Sequence, residues 1–241
     1  MNTRLIPIAL LGLGLGLPAQ DSKPAEKQSP DATAQKDVQK KDVQKSPDKA
    51  KKKTYKLPFA VGNEVDPGIE LRDLAGKKHK LASLRGKVVF IHFYSTRCPY
   101  EKLAVPKMNK ISADYAKKGV VVLGIAANVN EIGAKPDPKA FDAKKSEDRP
   151  YGPVRRKTHE EKINHTILVD HQSLVANKFQ ARTTPHCFVI DKKGILRYQG
   201  ALDNDSRGRK NDDQRKDYVR LAIDASLTGK KLEKTNSHPY G

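Results

Sequence analysis

Cysteine is scarce: the 241 residues hold two, Cys98 and Cys187. They allow one disulfide at most, so a disulfide-stapled scaffold is excluded and any fold must rest on its own core. Long apolar runs are missing too. The stretch Leu5–Leu17 falls short of the roughly 20 residues that cross a bilayer comfortably. It follows Arg4 and precedes Pro18-Ala19, the order expected of a secretory signal over residues 1–20. Left uncleaved, the same stretch would act as an N-terminal anchor. No cysteine stands near its end, which excludes lipid attachment there. Acidic residues are also in deficit, 28 against 47 Lys and Arg, for a formal charge of +19.

Aromatic residues are absent from 21–53, where Lys, Asp, Gln, Ser, Ala and Pro dominate. Lys36-Asp37-Val38-Gln39-Lys40 recurs as Lys41-Asp42-Val43-Gln44-Lys45. Two copies this short stack into no repeat fold. Such a segment buries too little apolar surface to offset its ordering entropy, so 21–53 reads as a disordered Lys-rich tether. With ten lysines against six acidic residues the tether carries +4, and Arg4 adds one, which leaves +14 on residues 54–241. Lys77-Lys78, Lys117-Lys118, Arg155-Arg156-Lys157 and Lys230-Lys231 carry part of it. An anionic envelope surface would attract such a protein, but the scattered clusters read rather as a solvated basic surface. No nucleic-acid motif accompanies the charge, and no nucleic-acid partner is expected.

Residues 54–241 are numerous enough for one domain with its own core. Lys87–Tyr94 is apolar almost throughout, as in a central strand covered on both faces. It runs into Ser95-Thr96-Arg97-Cys98-Pro99, after which the pattern turns helical to about Lys118, with Leu103, Met108, Ile111 and Tyr115 on one face. Pro99 suits a helix start; Pro106 predicts a kink or break; Gly119 ends the helix. Val120–Ala126 is a second buried strand, and strand–helix–strand implies a parallel, right-handed crossover. A helix is expected around Pro138–Lys145, a strand at His165–Asp170 and a helix at Leu174–Phe179. Cys187–Asp191 and Ile195–Tyr198 flank Lys192-Lys193-Gly194 as a hairpin. A closing helix is expected over Gln214–Leu227.

Cys98 is the leading candidate nucleophile. A thiol at a strand-to-helix turn meets unpaired N–H groups and the positive end of a helix dipole, an environment that favours the reactive thiolate. Arg97 would add to that effect; Glu101 would oppose it if it faced the sulfur, or could cap the helix start instead. His92 reads as a packed core histidine rather than a base. Nothing in the spacing of His159, His165 and His171 compels a metal site, and no cofactor or metal is expected.

Phe93-Tyr94-Ser95-Thr96-Arg97-Cys98-Pro99, then Ala181-Arg182-Thr183-Thr184-Pro185-His186-Cys187-Phe188-Val189-Ile190-Asp191, then Tyr198-Gln199-Gly200-Ala201-Leu202-Asp203-Asn204-Asp205 together resemble the thioredoxin fold in its redoxin branch, the alkyl hydroperoxide reductase/thiol-specific antioxidant group. The resemblance covers about Leu57 to Gly241. It implies an α/β three-layer sandwich, a central mixed sheet with helices on both faces. Cys98 matches the nucleophilic cysteine, Pro185 the cis-proline beside it, and Thr184 the residue that offers backbone atoms to an extended substrate. Asn204 and Asp205 match an acidic turn of the branch. A thioredoxin proper has Cys-x-x-Cys; here Glu101 fills the second position. Cys-Pro-Tyr-Glu is similar to the peroxiredoxin turn, with Ser95 three residues upstream, but Ile91 stands where that turn has proline. A thioredoxin turn that lost its second cysteine is the other reading. Members of the branch commonly continue past a glycine at this point into a short tail beginning with cysteine, whereas the sequence stops at Gly241.

An intermediate on Cys98 must therefore be resolved by Cys187, two residues past Pro185 in a strand, or by an external thiol. Cys187 also reads as a small buried hydrophobe. The expectation is an exported thiol oxidoreductase, periplasmic or extracellular, acting at Cys98 on peroxide or on protein and small thiols, with Ser95, Thr96, Arg97 and Glu101 tuning the thiol. The alternative is a non-catalytic envelope module that binds an extended peptide in the same groove.

Overall fold

The computed structural model describes residues 54–241; the signal and tether read for residues 1–20 and 21–53 lie outside the described residues. Seven strands run in chain order: β1 (Glu70–Asp73), β2 (Lys78–Lys80), β3 (Val88–Tyr94), β4 (Val120–Ala126), β5 (Thr166–Val169), β6 (Cys187–Ile190) and β7 (Leu196–Gly200). The α-helices are α1 (Pro99–Tyr115), α2 (Val129–Ile132), α3 (Gly152–Glu160), α4 (Leu174–Phe179) and α5 (Tyr218–Thr228). The strands join one mixed sheet in the order β2-β1-β5-β4-β3-β6-β7. β3 pairs in parallel with β4 along its whole length, from Val88 opposite Val120 to Tyr94 opposite Ala126. β6 adds antiparallel to the other side of β3 and sets Cys187 opposite His92.

All seven residues of β3 are buried, as a central strand requires. Alternation sends Val88 and Phe90 to one face, where they pack with Met108 and Ile111 of α1 and Val219 and Ile223 of α5. Val89, Ile91 and Phe93 go to the other face, against Phe179 of α4 and the N-terminal Phe59 and Val65. Helices thus cover both faces of a mixed sheet, the three-layer architecture the resemblance implies.

Several elements differ from expectation. The helix expected around Pro138–Lys145 is a short 3-10 turn, Pro138–Asp142. The longest helix of that region is α3, which buries only Val154 and so leaves no apolar period to read. β1 and β2 are a short, charged edge hairpin of four and three residues, and their sequences lack an apolar alternation. α1 runs through Pro106 unbroken; Pro106 withholds one N–H, and the buried stripe carries the helix across it. Leu103, expected on that stripe, is exposed, and Ala104 takes its place. α5 begins at Tyr218 because the preceding residues are held as a turn, with Lys216 N–H donating to Asn204 Oδ1 (2.8 Å) and Asn204 Nδ2 donating to Gln214 O (3.2 Å). Gly119 ends the helical segment in the left-handed region, at φ 75°.

Candidate active site around Cys98

Cys98 is the N-cap residue of α1 and sits at the C-terminal end of β3, half-buried. Its Sγ donates to the carbonyl oxygen of Thr184 at 2.7 Å. The Thr184–Pro185 peptide bond is cis. Tertiary structure therefore brings the sequence-read nucleophile, Thr184 and Pro185 to one spot from segments 86 residues apart. A groove of about 370 Å³ opens beside Thr184, lined by Phe93, Asn128, Arg182, Thr183 and Thr184 among others, with neither Cys98 nor Pro185 in its wall.

The turn before Cys98 is held by a residue the sequence reading passed over, Glu131 of α2. Its carboxylate accepts from Ser95 Oγ (2.6 Å), Thr96 N–H (2.6 Å), Thr96 Oγ1 (2.7 Å) and Asn128 Nδ2 (2.9 Å). Partial burial acts to raise the Glu131 pKa, but these hydrogen bonds from Ser95, Thr96 and Asn128 hold it below the ordinary carboxylate value. Ser95 and Thr96 thus spend their hydroxyls on Glu131. Arg97 donates its N–H to Ser95 Oγ (3.2 Å) and is exposed. No signal in the polar loop after β4 marks Glu131; its role depends on α2 folding back onto the turn.

Beneath the turn lies a buried polar cluster. Glu101, one helical turn into α1, is wholly buried and caps nothing: neither carboxyl oxygen has a hydrogen-bond partner, so the capping role read for it is not realised. Its Oε1 lies 3.0 Å from Nδ1 of His92, out of hydrogen-bonding line. The spacing is that of an ion pair, but burial pushes the Glu101 carboxyl well up, helped by the carboxylates of Glu161 and Glu131. Burial likewise pulls His92 down to about 3. Desolvation of both groups decides the matter: the contact joins a neutral acid to a neutral imidazole. On its other side His92 Nε2 meets Nε2 of His165 at 2.8 Å. Burial and the neighbouring His92 take His165 down to about 3. Gly124, opposite His92 on β4, leaves space that a Cβ would fill 3.0 Å from His92 Nε2. The burial of Glu101 was legible: Glu101, Ala104, Met108, Ile111 and Tyr115 share one three-and-four spacing along α1.

Cys187 is a free thiol, wholly buried among Phe90, Met108, Val189 and Tyr198 on the α1–α5 face. Burial pushes its thiol well up, and Glu101 and Asp203 add to the rise. Asn204 and Asp205 belong to a turn fixed to α1, where Lys107 Nζ donates to Asp203 Oδ2 (2.7 Å) and to Asp205 O (3.1 Å). The three outlying histidines do not converge. His165 pairs with His92, and His171 Nε2 lies 2.9 Å from the Tyr151 hydroxyl. Among the described residues no three His, Cys, Asp or Glu side chains gather as metal ligands. Among the same residues no helix is long and apolar enough to cross a membrane.

A mixed sheet of this order, with a lone cysteine at a helix start against a cis-proline, defines a redoxin of the thioredoxin fold. The model of the AhpC/TSA family matches residues 61–199, and the chain belongs to that family. It is 34% identical over 144 residues to the thiol-disulfide oxidoreductase ResA of Geobacillus thermodenitrificans, a match covering 60% of this chain and 71% of the relative. Among solved structures it is similar to the hypothetical protein SMc02350 of Sinorhizobium meliloti 1021, with a TM-score of 0.59 and 25% identity over 76% of this chain and 92% of that one. An uncharacterized conserved protein from Geobacillus kaustophilus also has a TM-score of 0.59, at 23% identity over 74% and 88% of the two chains.

Proposed function

We propose that the protein is a thiol-disulfide exchange enzyme with Cys98 as its nucleophile. The observation that carries this reading is the placement of Cys98 Sγ on the carbonyl of Thr184, a residue that precedes cis-Pro185 and lines a groove. An extended peptide that pairs with the backbone of Thr184 brings a disulfide to the sulfur. The Cys98 thiolate attacks one substrate sulfur; the S–S bond breaks, and its electron pair leaves with the other sulfur as a thiolate. A mixed disulfide remains on Cys98. An external thiol then attacks that mixed disulfide and releases Cys98 as a thiolate. Cys187 takes no part in this scheme, because a wholly buried thiol with a raised pKa offers no thiolate. The relatives named thiol-disulfide oxidoreductases support exchange. So does the turn: Ser95 donates to Glu131 rather than serving a peroxide at the sulfur. Export is part of the reading, supported by the order of Arg4, Leu5–Leu17 and Pro18-Ala19.

The test uses the reduced protein, an oxidised model dithiol and hydrogen peroxide, with Cys98 followed by intact mass. Fast mixed-disulfide formation that outpaces oxidation by peroxide supports exchange. Fast sulfenate formation with slow mixed-disulfide formation replaces exchange by peroxide reduction. If both modifications are slow, and a Cys98→Ser variant still binds an extended peptide, the protein is a binding module.

A further inference from the structure

The groove beside Thr184 is lined in part by Gly241, at the end of a C-terminal segment that packs along the sheet. After α5 the chain returns to the sheet edge and runs beside β7. Gln199 N–H donates to Thr235 O (3.1 Å) and Ser237 N–H donates to Gln199 O (3.1 Å). Ser237 Oγ lies 2.6 Å from the Tyr198 hydroxyl and accepts from Ala201 N–H at 2.9 Å. The approach is so close that Gly200, at φ 144°, has no room for a Cβ against Ser237. Beyond this point Tyr240 lies on the α1–α5 core and donates to Asp203 Oδ1 (2.9 Å); its ring centroid is 6.2 Å from that of Tyr100, two residues past Cys98. Gly241 then lies on the backbone of Thr184, with no room for a Cβ beside the carbonyl that Cys98 Sγ also contacts. Gly241 forms part of the groove wall.

We propose that residues 238–241 are a built-in competitor for the peptide groove, so that extended peptides reach Cys98 only when this segment lifts from Thr184. This rests on the exchange reading for its substrate class, an extended peptide disulfide. Small disulfides need no pairing with Thr184 and are not held back. The size of the effect follows from tethering. The segment is anchored through Thr235 and Ser237, so its end is presented at an effective concentration of about 1 mM or more. With its own intrinsic affinity for the groove at about 0.1 mM, a competitor at that effective concentration weakens apparent peptide binding about tenfold.

Two proteins test this against the unaltered chain: one ending at Ser237, which keeps the anchoring hydrogen bonds, and the full-length Tyr240→Ala variant. Thermal unfolding confirms that both are folded. In the Cys98→Ser background, binding of a fluorescein-labelled ten-residue Gly/Ala/Ser peptide is read by polarisation, free of any chemistry. Binding tightened about tenfold in both altered proteins is the expected result. Unchanged affinity, or no measurable binding by any of them, overturns the inference. With Cys98 present, the rate with the disulfide of a cysteine-containing version of the peptide should rise about tenfold, while that with oxidised 2-mercaptoethanol stays within about twofold. Tighter binding without exchange in any form sinks the exchange reading and upholds the competitor.

Discussion

Replacing His92 by Phe removes one end of the buried acid–imidazole contact and makes its protonation measurable. In the folded chain His92 is wholly buried and titrates at about 3, against an ordinary value of 6.5. Below pH 6.5 the unfolded chain gains a proton that the folded chain refuses. Stability is therefore full above pH 6.5 and falls as the pH drops toward 3. Each pH unit in that window costs about 1.4 kcal/mol, so at pH 5 His92 alone costs about 2 kcal/mol. Glu101 works in the opposite sense. Its raised pKa favours the folded state at low pH, and that advantage is lost as the pH rises from its ordinary 4.5 toward the folded value. The groups around His92 are Glu101 on α1, His165 before β5, Cys187 on β6 and Tyr94 on β3. His165 has the same sign as His92. The parent protein's own pH slope is consequently a compromise, and the difference between parent and variant is diagnostic. Urea unfolding at pH 7 and pH 5 should show the His92→Phe variant losing about 2 kcal/mol less than the parent over that interval. Equal losses in the two proteins would refute the assignment of a neutral, desolvated His92.

Glu131→Ala leaves Ser95, Thr96 and Asn128 without their common acceptor. Hydrogen bonds to a charged group contribute about 1.5–3 kcal/mol each but overlap here, so a loss of about 3 kcal/mol in urea unfolding is expected, with slower exchange at Cys98. The lowered pKa of Glu131 adds that its contribution is present above about pH 4.5 and fades as acid protonates the carboxylate, which repeat unfolding at pH 3.5 checks. Gly124→Val drives methyl groups against His92 and Ile167; overpacking should cost about 1–3 kcal/mol and shift the imidazole resonances of His92 and His165 in NMR spectra. Cys187→Ala opens a small core void worth about 1 kcal/mol in thermal unfolding yet leaves turnover with an external thiol unchanged; a collapse of turnover in the folded variant would make Cys187 the resolving thiol.

How far the sequence could be read follows from what each residue depends on. β3, β4, α4 and the β6–β7 hairpin were legible because their apolar runs and turn residues are local signals. So were Cys98 and Pro185, each marked by its neighbours in the chain. β1, β2 and α3 were not, since a short, partly exposed hairpin at the sheet's edge and a nearly solvent-borne helix bury too little to show a period. Glu101 was misjudged for a different reason. Its place on the buried stripe of α1 is periodic and readable, but a carboxyl on that stripe stays neutral only because His92 and the sheet remove water from it.

A three-layer α/β domain with a single candidate nucleophile, Cys98, at the start of its first long helix can be read from the order of the residues. Local hydrophobic period and backbone chemistry suffice for that. What surrounds Cys98 follows from the folded chain alone. Glu131 grips the turn, Glu101 meets His92, Cys187 sinks into the core and Tyr240-Gly241 lies against Thr184. Each of these depends on segments far apart in the chain meeting in a water-free or sterically confined space, where desolvation and fit, rather than residue type, set behaviour.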